Sequence, residues 1–150
     1  MTRVKVSTIV NCPIEKAFKY TVDFNNLAER HPEVDYSKQT SKGSVGEETT
    51  FDVEITSGKR KEKMHFVIKE YEPPYRAVLD GNGPTQRIVD EFIFTEVTEG
   101  TKISVTTDLT FKGSMKLIGV FIGPFLKRGT QKAVRSLAEA LENLSHERFV

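Results

Sequence analysis

The C-terminal run from Met115 to Leu144, MKLIGVFIGPFLKRGTQKAVRSLAEALENL, constrains the fold most, because no other segment is long and periodic enough to form a long helix. From Ile118, apolar or small residues recur at Ile122, Phe125, Gly129, Ala133, Leu137, Leu141 and Leu144. Steps of three and four place them on one helical face. Met115 to Leu126 is apolar nearly all round, with Lys116 its only charge, a composition that a helix tolerates only when it is covered on most sides. From Lys127 onward the pattern is amphipathic, with Lys127, Arg128, Lys132, Arg135, Glu139 and Glu142 on the outer arc. Gly129 lets the backbone approach a facing layer closely, despite a helix penalty of roughly 1 kcal/mol. Pro124, directly after Gly123, removes a helical hydrogen bond and predicts a kink or a fresh helix start. The rest of the chain is therefore expected to supply a surface for this helix to lie on.

Upstream, the period changes from helical to alternating. In Arg3 to Asn11, Val4, Val6, Thr8 and Val10 share one face, which predicts a half-buried strand. Pro13 and Glu15 then open a helix carrying the apolar stripe Ile14, Ala17, Phe18 and Val22. Asp23 caps a second short helix, Phe24 to Glu29, that ends before Pro32. Strands follow for some eighty residues. Phe51, Val53 and Ile55 alternate with polar neighbours, Ser57-Gly58-Lys59 has the composition of a hairpin turn, and Met64, Phe66 and Ile68 line one face of the next strand. Pro73-Pro74 and Gly81-Asn82-Gly83-Pro84 bracket a short strand, Tyr75 to Leu79. Gln86 to Val97 and Thr101 to Phe111 form two longer strands, with Ile88, Phe92 and Phe94, and Ile103, Val105, Leu109 and Phe111, turned inward. With one apolar face per strand, the sheet is expected to be antiparallel and covered on one side. The fold class is α+β.

Composition narrows the function classes. The chain has 150 residues, enough for one domain spanning 1–150 with a real core. Twenty-two basic and 21 acidic side chains leave a net charge of +1, with no overall bias towards nucleic acid. Cys12 is the single cysteine, which excludes an internal disulfide and fits a reducing compartment. The first residues alternate instead of forming a signal peptide's apolar block. Leu117 to Leu126, the best apolar run, is interrupted by Gly119, Gly123 and Pro124 and falls well short of the roughly 20 residues a bilayer span needs. A soluble cytoplasmic protein is expected.

The order strand, two short helices, about six antiparallel strands and one long helix resembles the START-like helix-grip fold, shared with the birch pollen allergen and the polyketide cyclase/dehydrase-like (SRPBCC) proteins. The resemblance covers nearly the whole chain. Its local marks are VSTIVNCPIEKAFKYTVDFNNLAERHPEV (Val6 to Val34), FTEVTEGTKISV (Phe94 to Val105) and the terminal helix. That family often carries a Trp just before the His-Pro segment; here there is no Trp, and Arg30 is nearest that place. The resemblance implies a curved sheet of six to seven strands gripping the helix around a cavity for apolar ligands. It does not specify a reaction, since the family contains carriers, cyclases and hydrolases.

Catalytic motifs are sparse. His31, His65 and His146 have no metal-ligand spacing and no cysteine partner, so no metal is expected. His65 and His146 read as solvated, whereas the loop carrying His31 is placed to reach a cavity mouth. Cys12 lacks an identifiable base. Lys59-Arg60-Lys61-Glu62-Lys63 reads as a solvated hairpin tip, and the glycines at 81 and 83 precede a proline, not a phosphate-binding helix.

The remaining signal is the inward apolar set, and the helix-grip architecture favours a ligand cavity over a solid core. The site residues expected on this basis are Phe51, Val53, Met64, Phe66, Ile88, Phe92, Phe94, Val105, Leu109, Phe121, Ile122 and Phe125, together with the polar candidates His31, Tyr36, Asp90 and Thr107. The expected function is binding or carriage of a small hydrophobic molecule, a lipid, polyketide-like or aromatic compound, without a cofactor. One rival is a cyclase, dehydratase or hydratase using Asp90, Thr107, Tyr36 or His31 as acid, base or oxyanion donor. The other, less favoured, is a lipid or quinone chaperone that docks to membrane through Leu117 to Phe125. Strict alternation turns Asp90 inward with Ile88 and Phe92, where an unpaired carboxylate is costly. Since sequence alone fixes strand phase only loosely, a β-bulge near Val89 that turns it outward is the expected arrangement. The alternatives are a structural ion pair and a polar anchor or general base of a ligand site.

Overall fold

The computed structural model describes residues 1–119 and 121–147, with side chains described as far as Leu144. Val120 and the His146 side chain therefore lie outside the described residues. The elements are β1 (Thr2–Val10), α1 (Ile14–Val22), a 3-10 turn (Phe24–Asn26), α2 (Leu27–Arg30), β2 (Val34–Gln39), β3 (Thr50–Ser57), β4 (Arg60–Glu72), β5 (Arg76–Asn82), β6 (Gln86–Val97) and β7 (Gly100–Phe111). A second 3-10 turn (Gly113–Met115), α3 (Lys116–Gly119) and α4 (Gly123–Glu147) complete the chain.

The strands form one curved seven-stranded sheet in the order β1-β7-β6-β5-β4-β3-β2, and every pair is antiparallel. Strands β2 to β7 form a meander, so β1 and β2 are the two edges. The segment between them, with α1 and α2, must cross the width of the sheet. Register shifts at Val34/Tyr36 and Ile68/Glu70 mark bulges, which bend strands and sharpen twist. This is the helix-grip arrangement expected from the sequence.

Local chemistry explains the short elements. Ala17 N donates to Pro13 O at 2.9 Å as α1 begins, and Glu15 sits in its first turn. Asp23 accepts from Asn25 N at 3.0 Å and caps the 3-10 turn that leads into α2. Helix α2 ends at Arg30, with Pro32 just beyond. Phe24 stands at the centre of the aromatic core, with ring centroids 5.2 Å from Phe66, 5.9 Å from Phe51 and 6.3 Å from Phe92. Val134, Leu137 and Leu141 bury one stripe of α4. Lys16 Nζ donates to Leu144 O at 3.1 Å, tying the end of that helix to α1.

Two sequence expectations need correction. Strand β5 runs on through Gly81 and Asn82, beyond the Leu79 end expected from the glycines, because Gly81 pairs with Phe66 and leaves room for its ring. The apolar stretch Met115 to Leu126 is neither one helix nor covered on most sides. It breaks between α3 and the fresh start of α4 at Gly123-Pro124, and Leu117, Ile118, Phe121 and Phe125 are all exposed.

Candidate functional site

A cavity of about 440 Å3 lies between the sheet and α4. Strand register builds its wall. Inward residues of β6 and β7 stack as layers, Gln86 opposite Phe111, Ile88 opposite Leu109, Asp90 opposite Thr107, and Phe92 opposite Val105. The next layer, Phe94 opposite Ile103, is fully packed, with Phe94 meeting the Phe18 ring at 5.2 Å, and it lies outside the cavity. Phe66 from β4 and Phe24 from the first 3-10 turn add aromatic walls. Met115, Ile118, Ile122, Phe125 and Leu126 border it from the segment that leads into α4. Gly129, Ala133, Val134 and Leu137 face it from α4 itself. A Cβ at Gly129 would meet only Glu33 Oε1, at 3.7 Å. The expectation that Gly129 permits close helix–sheet approach is thus replaced: the glycine faces open space and widens the cavity.

Of the residues expected from sequence, Phe66, Ile88, Asp90, Phe92, Val105, Thr107, Leu109, Ile122, Phe125 and His31 line the cavity. Phe51, Val53, Met64 and Phe94 do not; each is fully buried in the packed core, where neighbouring side chains fill the space. Phe121 points away from the cavity and is 77% exposed. Tyr36, on edge strand β2, is also exposed and outside the lining.

The bulge expected near Val89 is absent. Register is continuous on both sides of β6, with Val89 opposite Asp80 and Asp108, and Asp90 opposite Leu79 and Thr107. Asp90 therefore faces inward, and Thr107 Oγ1 donates to its Oδ1 at 2.7 Å. Burial drives its pKa up to about 6, against the opposing pull of the Thr107 hydrogen bond and the Arg30 charge. Asp90 makes no salt bridge among the described residues.

Arg30 is the functional candidate that sequence reading missed. It closes α2, is 6% exposed, and lines the cavity. Its Nη2 donates to Thr21 O at 3.0 Å and its guanidinium carbon sits 5.8 Å from the Phe24 ring centroid. Its buried Nε has no hydrogen-bond partner among the described residues. Burial lowers its pKa to about 10, a shift opposed by Tyr20, Asp90 and Glu29. The available signal was an arginine where the resembling family often has tryptophan. Next to it, His31 Nδ1 accepts from Glu33 N at 3.1 Å, leaving the proton on Nε2. Burial, then the Arg30 charge, lower the His31 pKa to about 4, so the ring is neutral at pH 7.

A second polar group lies where β4 meets the β5–β6 loop. Glu62 accepts from Thr85 N at 2.7 Å, Thr85 Oγ1 at 2.9 Å and Gln86 Nε2 at 2.8 Å. These bonds fix the loop and engage both carboxylate oxygens. Arg60, on the β3–β4 hairpin, donates to Met115 Sδ at 3.0 Å, linking the hairpin to the segment before α3. No cluster of three metal-ligating side chains occurs among the described residues. Cys12 is buried outside the cavity. His65, more than half exposed, lies 3.0 Å from Asp52 on the outer face.

Solved structures share this fold. A protein from Thermus thermophilus, TTHA0849, superposes with a TM-score of 0.78 at 15% identity, covering 95% of this chain and 99% of that one. The Zhui aromatase/cyclase from Streptomyces sp. R1128 gives 0.75 at 10% identity over 99% of this chain and 95% of that one. A START superfamily protein from Mycobacterium smegmatis gives 0.73 at 14% identity over 98% and 99%. At such identities the likeness is one of fold. No curated protein matches the sequence. A family model described as polyketide cyclase / dehydrase and lipid transport matches residues 1–145.

Proposed function

Since the chain belongs to the polyketide cyclase / dehydrase and lipid transport family, we propose that it binds and carries a small, largely apolar molecule bearing at least one polar group. One observation carries this reading: a cavity of about 440 Å3 with mainly apolar walls into which a buried arginine and a half-buried carboxylate both project. Its volume falls within the range of about 300–1,000 Å3 typical of small-molecule sites. The apolar wall provides affinity, and a few convergent polar groups fix orientation. Arg30 supplies donors for a carbonyl, enol or carboxylate oxygen. Neutral His31 supplies an Nε2–H donor, and Asp90 supplies an acceptor or, when protonated, a donor.

The test is extraction of the natively purified protein followed by mass spectrometry of the small molecules released. A stoichiometric apolar compound, displaced by a competing apolar probe, is the expected result. A protein that yields no such compound and binds no apolar probe at micromolar concentration contradicts the reading.

A second reading rests on Asp90 specifically. A carboxylate brought to about 6 inside an apolar cavity is suited to general acid–base work near neutral pH, and the Arg30 cation is suited to stabilising a developing oxyanion. This is the arrangement that a cyclase- or dehydratase-type reaction on an enolisable substrate needs. Asp90→Asn separates the two roles once the ligand is known. Loss of turnover with binding retained supports catalysis, whereas weakened binding with no turnover in either form supports a carrier.

A further inference from the structure

The segment that borders the cavity on one side carries a second apolar surface on the other. Leu117 is 78% exposed, Phe121 77% and Phe125 68%. They are spaced by four residues and flank the α3–α4 break, where Phe121 N donates to Ile118 O (3.0 Å) and Leu126 N to Ile122 O (2.8 Å). One short segment thus holds three large, exposed apolar side chains. On the other side, Met115, Ile118, Ile122 and Leu126 line the cavity. Leu117 and Phe121 contribute nothing to the cavity, so its lining does not explain their exposure.

Charge is segregated around the same segment. The sequence has no acidic residue between Asp108 and Glu139, although the whole chain holds 21 acidic side chains against 22 basic ones. Lys116, Lys127, Arg128, Lys132 and Arg135 lie in that interval and are exposed. None of them makes an ion pair among the described residues. Exposed large apolar side chains flanked by long basic ones match a lipid–water interface. There aromatic and aliphatic groups enter the acyl boundary, while Lys and Arg extend to anionic head groups. Among the described residues no helix is long and apolar enough to cross a membrane, which fits a segment lying in the interface.

We propose that residues 116–119 and 121–128 dock the cavity mouth onto a bilayer containing anionic lipid, with Leu117, Phe121 and Phe125 inserted and Lys116, Lys127 and Arg128 against the head groups. The docked geometry brings Ile118, Ile122 and Phe125 to the boundary between bilayer and cavity, giving an apolar ligand a path that avoids water. Docking rests on the outer surface and does not require an occupied cavity, so it fails or succeeds separately from ligand binding.

The experiment is co-sedimentation of the full chain with vesicles of phosphatidylcholine alone and with phosphatidylglycerol added. Binding is expected to the mixed vesicles, to fall with added salt, and to weaken about tenfold or more in the Lys127→Gln/Arg128→Gln variant, which loses two interfacial charges. Leu117→Ser/Phe121→Ser is expected to abolish vesicle binding while leaving the melting temperature and apolar-probe affinity unchanged, since both side chains lie outside core and cavity. Failure to bind either vesicle overturns the proposal. So does vesicle binding that survives Leu117→Ser/Phe121→Ser, or a self-associated form in which Phe121 is buried against a second copy.

Discussion

The hydroxyl of Thr107 donates to Oδ1 of Asp90 at 2.7 Å, joining β7 to β6 across directly paired positions inside an otherwise apolar wall. It is the one hydrogen bond to that carboxylate among the described side chains, and it favours the ionised form. Removing the donor should therefore push Asp90 further up. Thr107→Val, which keeps the side chain's shape, is expected to raise the Asp90 pKa above about 6 when followed by carbon NMR of its carboxyl group. An unchanged or lowered value contradicts the assigned contact.

Two half-buried groups in the cavity titrate in opposite senses. Asp90 has a folded pKa of about 6 against an ordinary value of 3.8. Between these values the folded state holds a proton that the unfolded chain releases, so stability from this group rises as pH falls from 6 towards 3.8. His31 has a folded value of about 4 against 6.5. There the unfolded chain holds the proton, so stability from this group falls as pH drops from 6.5 towards 4. The windows overlap and the contributions offset one another. Asp90→Asn is expected to expose the His31 contribution, with variant stability declining as pH falls from 6.5 to 4 in denaturant titrations. Above pH 7 the variant is expected to exceed the wild type by up to about 3 kcal/mol, because a disfavoured buried charge is gone. A variant that is less stable than wild type at pH 8 contradicts this assignment.

Phenylalanines that look equivalent in the sequence should differ sharply in energetic weight. Phe24 is 1% exposed and touches three other rings, so Phe24→Ala is expected to cost about 3–5 kcal/mol. Phe121→Ala removes a ring that is 77% exposed and should fall within about 0.5 kcal/mol of wild type. Urea unfolding of the two variants checks the contrast, and similar losses in both would contradict the placement of Phe121.

The division between what sequence reading reaches and what it misses follows the range of the forces involved. Alternation places Ile88, Phe92, Val105, Thr107 and Leu109 on the inward face, because a strand's period of two is fixed by its backbone. Asp90 obeys the same alternation, because the ladder runs unbroken through Val89 and Asp90 on both sides of β6 and no bulge resets the phase. Edge strand β2, with Asp35 and Tyr36 exposed, carries too little apolar alternation to be singled out. Arg30 is invisible as a site residue because it sits on a four-residue helix whose direction is set by tertiary packing. The assumption that Phe121 and Phe125 must be covered fails for a related reason. An apolar segment states that something should cover it, but not whether the cover belongs to the same chain.

Gly81 couples the sheet to the cavity. A Cβ there would overlap the Phe66 ring, which is 2% exposed and forms part of the cavity wall. Gly81→Ala is expected to push that ring into the cavity, with a loss of about 1–3 kcal/mol and weaker binding of an apolar probe. Calorimetric unfolding and probe titration on the same variant test this together. Unchanged stability and unchanged probe affinity would show that Phe66 does not wall the space.

If the space between sheet and α4 is a working binding cavity, filling it from within must close it. Ile88→Trp adds side-chain volume to the cavity wall at a half-buried position. The measurement is titration of delipidated wild type and Ile88→Trp with an apolar fluorescent probe, alongside melting temperature. The wild type should bind one probe per chain with a rise in melting temperature. The variant should lose the binding while keeping its cooperative melt. Equal probe binding by both proteins, or none by the wild type, would show that the space is not a binding site.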